Sequence, residues 1–407
     1  MTTDQQTTKR VIYLDSAATT RVSDKVYDAM VPFLTDKWGN PGSPHSLGRE
    51  ARTAVETARG QVGELLGAKP PGKVVFTSSG SEANNMAIFG VKERLKRAGR
   101  KRILYSAIEH ESVFKSVAAL EEEGFYVTEL PVDNNGVVDV EFLTRELQDE
   151  KNPVGLVCIM DTNNEIGVSQ QTGELAALAH QYGALYHADC VQSAGYKRLD
   201  VEKLGVDSAS ISAHKIHGPK GVGALYIRSA LDFEPMIHGG AGQEFGLRGG
   251  TENVAAIVGF GVACDLAGEG IGSAAKKIKE LKSAFVGGVA EIQPAWDGIS
   301  INANTYVNGG RVLSVSFDGV SGETMIYVLD AEGVYASAGA ACSGLMIKPN
   351  RILTACGISP EVGMRTVRFS FDPELSVADA RSAGVIVGNV YRSLGKRVET
   401  PSEEHLN

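Results

Sequence analysis

The sequence predicts an α/β protein, with a large domain built on a mainly parallel sheet followed by a smaller α+β domain. Three observations predict it. Short apolar runs alternate with helical patterns over the first two thirds of the chain, and that rhythm changes after about Gly268. The most polar motifs stand directly after the apolar runs, which is where open parallel sheets bind their ligands.

The elements follow in order. Ser46–Gly67 reads as a helix: Ser46 can cap it, Ala51, Ala54, Ala58, Val62 and Leu65 recur at helical spacing, and Gly67 can end it. Lys73–Thr77, Arg102–Ser106, Phe125–Leu130, Val154–Met160, Ala184–Ala188 and Val222–Ile227 read as buried strands, and Glu82–Ala98 and Ser112–Glu123 as helices between them. Repeated strand–helix–strand order implies a parallel sheet covered on both faces. Later come a helix from Ser273 to about Ile292, strands near Arg311–Phe317 and Thr366–Phe371, and a last helix from Ala378 to Leu394. The expected domains are residues 12–265 and 266–407, with residues 1–30 expected to pack on the second. The polar tail from Val398 to Asn407 is expected to fray.

Composition narrows the class. The chain has 407 residues, 43% of them hydrophobic and 22% charged, and a formal net charge of -9. An acidic balance argues against coating nucleic acid or an anionic membrane surface. No apolar run reads as a bilayer span, and Met1–Arg10 lacks the apolar stretch of a secretory signal. The five cysteines, an odd number with no CxxC pair, suit neither a disulfide framework nor a zinc site. The expected setting is reducing and cytoplasmic.

Four segments carry chemistry that a core would not need. In Ser78–Glu82 (SSGSE), small residues at a helix start let backbone N–H groups approach a phosphate, although a plain capped turn has the same composition. In His187–Ser193 (HADCVQS), Asp189 closes an apolar run. It is either an ordinary helix cap or the acid that keeps a pyridine ring nitrogen protonated. In Ser210–Gly223, Lys215 follows a strand and has His214 beside it. A lysine so placed can form a Schiff base, whereas the common fate of a lysine is a solvated loop. His214 and His217 have no evident third ligand, so no metal site is expected. In Ser337–Gly344 (SAGAACSG), Cys342 stands among small residues and reads as an exposed thiol on a loop, whereas Cys158 and Cys264 read as core.

Taken in order, these residues resemble the cysteine desulfurases of the NifS/IscS type, among the fold-type I pyridoxal-phosphate enzymes. The likeness runs from YLDSAATT (Tyr13–Thr20) to RTVRFSF (Arg365–Phe371). It includes WGNPGSPHSLGR (Trp38–Arg49), FTSSGSEANNMAI (Phe76–Ile88), IEHESV (Ile108–Val113), NNEIGV (Asn163–Val168), SAHKIHGPKGVGALY (Ser212–Tyr226) and GGTEN (Gly249–Asn253). It implies a seven-stranded sheet, pyridoxal 5'-phosphate on Lys215, and Asp189 paired with the pyridinium nitrogen. Gln192 would bond the phenolic oxygen, with Asn164 near that oxygen and the substrate. Gly80, Ser81, Ser212 and His214 would hold the phosphate. Thr251 would reach the phosphate of a partner subunit in a homodimer with shared sites. His110 would stack on the ring and move protons, while Arg368 would fork the substrate carboxylate and Asn40 would help bind the substrate.

The implied reaction takes L-cysteine to L-alanine, leaving sulfur as a persulfide on Cys342 for an acceptor protein in iron–sulfur cluster assembly or another trafficking pathway. Departures are SSGSE in place of a GATE-like turn, Cys190 inside DCVQ, glycine before Thr251, and a tail SEEHLN unlike the scaffold-docking tail. Two other readings stand beside it. One is a selenocysteine lyase or another class V aminotransferase relative; the other is a non-catalytic scaffold that kept the fold.

Overall fold

The structure is a computed structural model that describes residues 10–70, 73–228, 233–240, 242–339, 341–343, 346–348 and 350–398. By its internal contacts the chain forms two units. The larger comprises Thr19–Asn164 and Val168–Ser273, and the smaller Glu165–Gly167, everything from Ala274 onward and the chain up to Ala18.

The larger unit is organised by seven strands: β1 (Lys73–Thr77), β2 (Arg102–Ser106), β3 (Tyr126–Leu130), β4 (Val154–Cys158), β5 (Leu185–Asp189), β6 (Ser208–Ser212) and β7 (Gly223–Ile227). Their spatial order is β1-β7-β6-β5-β4-β2-β3. β7 runs antiparallel to both β1 and β6, and the other neighbours are parallel. All strands except β7 therefore point the same way. The segments after β1, β2, β5 and β6 emerge at one edge of the sheet, and they are the polar segments singled out above. β4 to β7 are buried almost throughout, as expected of strands covered on both faces.

Helices complete the layers. α1 (Ser46–Leu66) ends on Gly67 in the left-handed conformation, but its cap is His45, whose Nδ1 accepts from the Gly48 N–H at 3.2 Å. The expected cap, Ser46, is instead the first helical residue. α2 begins at Gly80 rather than Glu82 and stops at Gly90, with Lys92–Arg97 forming a separate short helix. A Cβ on Gly90 would lie 2.3 Å from the Phe233 ring, so close packing holds a glycine where the helical pattern runs on. α3 is Glu111–Glu121, one residue offset from expectation at its start.

The largest departure is α4, a single 39-residue helix from Val254 to Ile292 where only its second half was expected. Glycines break up the apolar period in its first half. One of them is there for contact: a Cβ on Gly261 would fall 2.7 Å from the Ala58 Cα of α1. α4 is also long and apolar enough to pass for a membrane span, with a window of mean hydropathy 1.6; no such run was expected. Core packing accounts for its apolarity. Phe260, Ala263 and Cys264 sit in the core of the larger unit, and Leu281, Phe285 and Val289 in that of the smaller.

The smaller unit has a four-stranded antiparallel sheet in the order Ser337–Ala338, Thr366–Ser370, Val312–Phe317, Ile299–Ile301. Its last helix runs from Val377 to Val398. Phe285, Phe317, Phe369 and Phe371 are fully buried in its core.

Candidate active site

In the larger unit the site grows from four strand ends. β1 leads through Ser78 into α2, whose cap Ser79 accepts from the Glu82 N–H at 3.1 Å. The Gly80 and Ser81 N–H groups are the open donors of that first turn. Gly80 is required by its neighbours, because a Cβ there would stand 2.7 Å from Val191 Cγ2 and 3.5 Å from Ser212 Cβ. Gly223, at the start of β7, comes as close to the same turn. Glu82 reaches back to the Ser78 N–H (2.7 Å) and pairs with Arg248 (2.9 Å). Burial works against its charge, yet hydrogen bonds from Arg248 and Ser78 hold its carboxyl below the usual range.

β5 ends on Asp189, which is 4% exposed. Its Oδ1 accepts from the Val191 N–H at 2.9 Å and its Oδ2 from Asn84 Nδ2 at 2.7 Å. Asp189 therefore does not cap a helix through its side chain, and the carboxylate is held by groups on two elements. Gln192 is buried one turn later, and Asn164 is partly buried. Cys190 is fully buried in the core, and burial pushes its thiol well above the ordinary value. Cys158 and Cys264 behave likewise, as expected of core cysteines.

β6 runs into a 3₁₀ turn, Ala213–Lys215. Lys215 is half-buried, and its carbonyl accepts from Tyr196 Oη at 3.1 Å. The turn is stapled by the Thr19–Ser23 segment. Thr20 N–H and Oγ1 both donate to the His214 carbonyl, and Thr20 Oγ1 accepts from the His217 N–H at 2.7 Å. His217 sits at φ 63, a strained conformation for histidine that these bonds hold. His214 Nδ1 meets Thr19 Oγ1 at 3.1 Å. Ser212 Oγ is fully buried with no hydrogen-bond partner among the described residues.

β2 leads to His110, the exposed cap of α3. Its Nδ1 accepts from the Ser112 N–H at 3.1 Å and meets Ser112 Oγ at 2.8 Å. Asn40 and Thr251 are exposed. Reasoning from sequence overlooked Asn84 and His187 as site components, although both lie in quoted motifs. Their signal was a polar residue where the helix and strand patterns call for core.

In the smaller unit Arg368 lies on an inner strand at 6% exposure. Its guanidinium donates to Glu165 Oε1 (2.6 Å) and Asp15 Oδ1 (3.0 Å). Burial opposes its charge, but the two acids outweigh that and raise its pKa above the ordinary value. Both acids went unassigned in the sequence. Cys342 belongs to a strand pair rather than a loop: Ala341–Ser343 runs antiparallel to Met346–Lys348, with Cys342 opposite Ile347. Small residues are compatible with either, and backbone pairing decided it. The expected exposure of the Cys342 thiol concerns a side chain outside the described ones, as do Gly344 and the tail beyond Val398.

The residues fit pyridoxal phosphate. A buried hydroxyl with no described partner and a glycine whose Cβ would fill the turn stand beside a helix start, as a phosphate requires, and a buried acid and a lysine follow neighbouring strands.

The Aminotransferase class-V family pattern matches residues 12–381. The cysteine desulfurase IscS of Dictyoglomus turgidum is 42% identical over 362 residues, covering 89% of this chain and 90% of that protein. Among solved structures, a NifS-like protein superposes with a TM-score of 0.86 at 35% identity, covering 95% of this chain and 100% of that one. SspA in complex with cysteine gives 0.74 at 32% identity, covering 89% and 99%.

Proposed function

We propose residue roles from one premise: the chain belongs to the class-V aminotransferase family and is a pyridoxal-phosphate-dependent cysteine desulfurase. The cofactor supplies an electron sink for the substrate's Cα. The observation that carries the assignment is the shared sheet edge, where Gly80 follows β1, Asp189 ends β5, Ser212 ends β6 and Lys215 follows it, three strands pointing the same way.

Lys215 would hold the cofactor covalently, and its amine would be the base that takes the substrate's Cα proton. Asp189 would accept from the ring N–H, and Gln192 and Asn164 would bond the phenolic side. Gly80, Ser81, Ser212 and His214 bind the phosphate. His110 would flank the ring and move a proton at Nε2. Asn40 and Arg368 bind the substrate, and Arg368 exchanges one of its two carboxylate partners for the substrate carboxylate.

Cys342, as a thiolate, attacks the substrate sulfur. The Cβ–S bond breaks, the S–S bond of a persulfide forms on Cys342, and the carbon skeleton leaves as L-alanine. Thr251, exposed on a loop tied down by Arg248, reaches the phosphate of a second copy in a homodimer. The persulfide passes to an acceptor protein in cytoplasmic sulfur trafficking, iron–sulfur cluster assembly included.

Cys342→Ser tests the reading. The variant keeps the cofactor's visible absorbance and forms no persulfide or alanine above background. Alanine release at the wild-type rate would overturn the role of Cys342 and favour a lyase that needs no cysteine nucleophile.

A further inference from the structure

We propose that Asn84 is a positioning residue that orients Asp189 and joins it to His110 and His187 in one hydrogen-bond chain of fixed direction. The inference rests on the reading of Asp189 as the partner of the cofactor ring nitrogen.

Asn84 is 1% exposed on α2, and both ends of its amide are used. Asp189 Oδ2 can only accept, so it must face Nδ2, at 2.7 Å. The second N–H of Nδ2 goes to Ser112 Oγ at 2.9 Å. Oδ1 then points to the opposite side, where it accepts from Ser210 Oγ and His187 Nε2, the latter at 3.0 Å.

The remaining protons follow. Burial pushes the pKa of His187 down to about 4, so the ring is neutral near pH 7. Its one N–H must lie on Nε2, because Asn84 Oδ1 cannot donate. His187 Nδ1 lies 2.9 Å from Ser208 Oγ. On the other arm, Ser112 Oγ accepts from Asn84 and passes its own hydrogen to His110 Nδ1, which also takes the Ser112 N–H. That leaves Nε2 as the His110 nitrogen that holds or moves a proton.

Asn302, the buried asparagine of the smaller unit, shows the contrast. Among the described residues its amide meets only Ser314, Ser316 and Thr366 hydroxyls, which turn either way. Asn84 sits between a carboxylate and an imidazole and admits one arrangement.

Asn84→Ala and the isosteric Asn84→Asp test this. In cofactor-free protein near neutral pH, ¹⁵N NMR of wild type shows His187 as the Nε2–H tautomer alone. Asn84→Ala gives mixed tautomers, and Asn84→Asp keeps the wild-type form. In the holoenzyme, Asn84→Ala lowers kcat by about 10- to 100-fold with little change in KM, as expected for a lost orienting contact. In Asn84→Asp the two neighbouring carboxyls share a proton. Its kcat is therefore partly restored at low pH and falls as pH rises and that proton leaves, an alkaline limb absent from wild type. A single His187 tautomer and unchanged kcat in Asn84→Ala, or a wild-type pH profile in Asn84→Asp, would overturn the proposal. Unchanged kcat in Asp189→Asn would instead overturn the ring-nitrogen reading, and the tautomer measurement, made without cofactor, would still decide the role of Asn84.

Discussion

Lys215 and Lys282 invert the usual expectation about reactive lysines. Lys282, in the smaller unit, is 3% exposed, and burial lowers its pKa to about 8. A buried lysine with a lowered pKa is what a search for an amine nucleophile looks for. Yet its Nζ donates to the carbonyls of Thr305, Gly310 and Val312, so all three N–H bonds of the ammonium are used. It closes the turn around a short helix and has no nitrogen to offer. Lys215 is only half-buried, in a turn at the strand-end edge of the sheet. A perturbed lysine is thus a weak marker, and position at the carboxyl ends of parallel strands is a strong one.

The contrast can be broken by substitution. Lys215→Ala should lose the cofactor's protein-bound absorbance and lower kcat by on the order of 10⁴-fold. Lys282→Met should leave kcat within about twofold at a temperature where it is folded. A reversed outcome in the desulfurase assay would sink the comparison.

The next effect is on stability. The folded pKa of Lys282 lies below its ordinary 10.5, so the unfolded chain binds more protons between the two values and stability rises with pH there. The contribution is smallest below about 8 and complete above 10.5. Across that window, wild type should gain up to about 3 kcal/mol of unfolding free energy relative to Lys282→Met. Denaturant melts of both proteins at several pH values measure it, and parallel curves would refute it.

The smallest expected effect concerns Arg368. Arg368→Lys keeps a charge beside Asp15 and Glu165 but loses the planar fork, so KM for L-cysteine should rise by roughly 10-fold while the bound cofactor's spectrum stays unchanged. Steady-state kinetics at fixed cofactor loading would show it, and an unmoved KM would remove Arg368 from substrate binding.

Much of the larger unit was legible. Lys73–Thr77 and Arg102–Ser106 match their expected bounds, and the other four expected strands differ by one or two residues, because apolar β-branched runs between turn residues are local signals; Ser208–Ser212, with serine at every other position, had no such run and no expected bounds. The first half of α4 was not legible. Its glycines interrupt the apolar pattern, and only the nearby backbone of α1 shows why Gly261 is one of them. The strand pairing at Cys342 was hidden for a related reason: a run of small residues has no period from which to read it.

By itself the sequence determined which groups are available: a lysine after a strand, an acid closing another, a glycine turn and a thiol in a distant motif. Those are local properties of residue order, and they were enough to indicate the family. Tertiary structure alone decided how the groups are poised. Asn84 meets Ser112, Asp189, His187 and Ser210 across separations of 28 to 126 residues, and Arg368 meets Asp15 across 353. Hydrogen-bond direction and carboxylate pairing depend on such contacts between distant segments, and no local pattern in the chain encodes them.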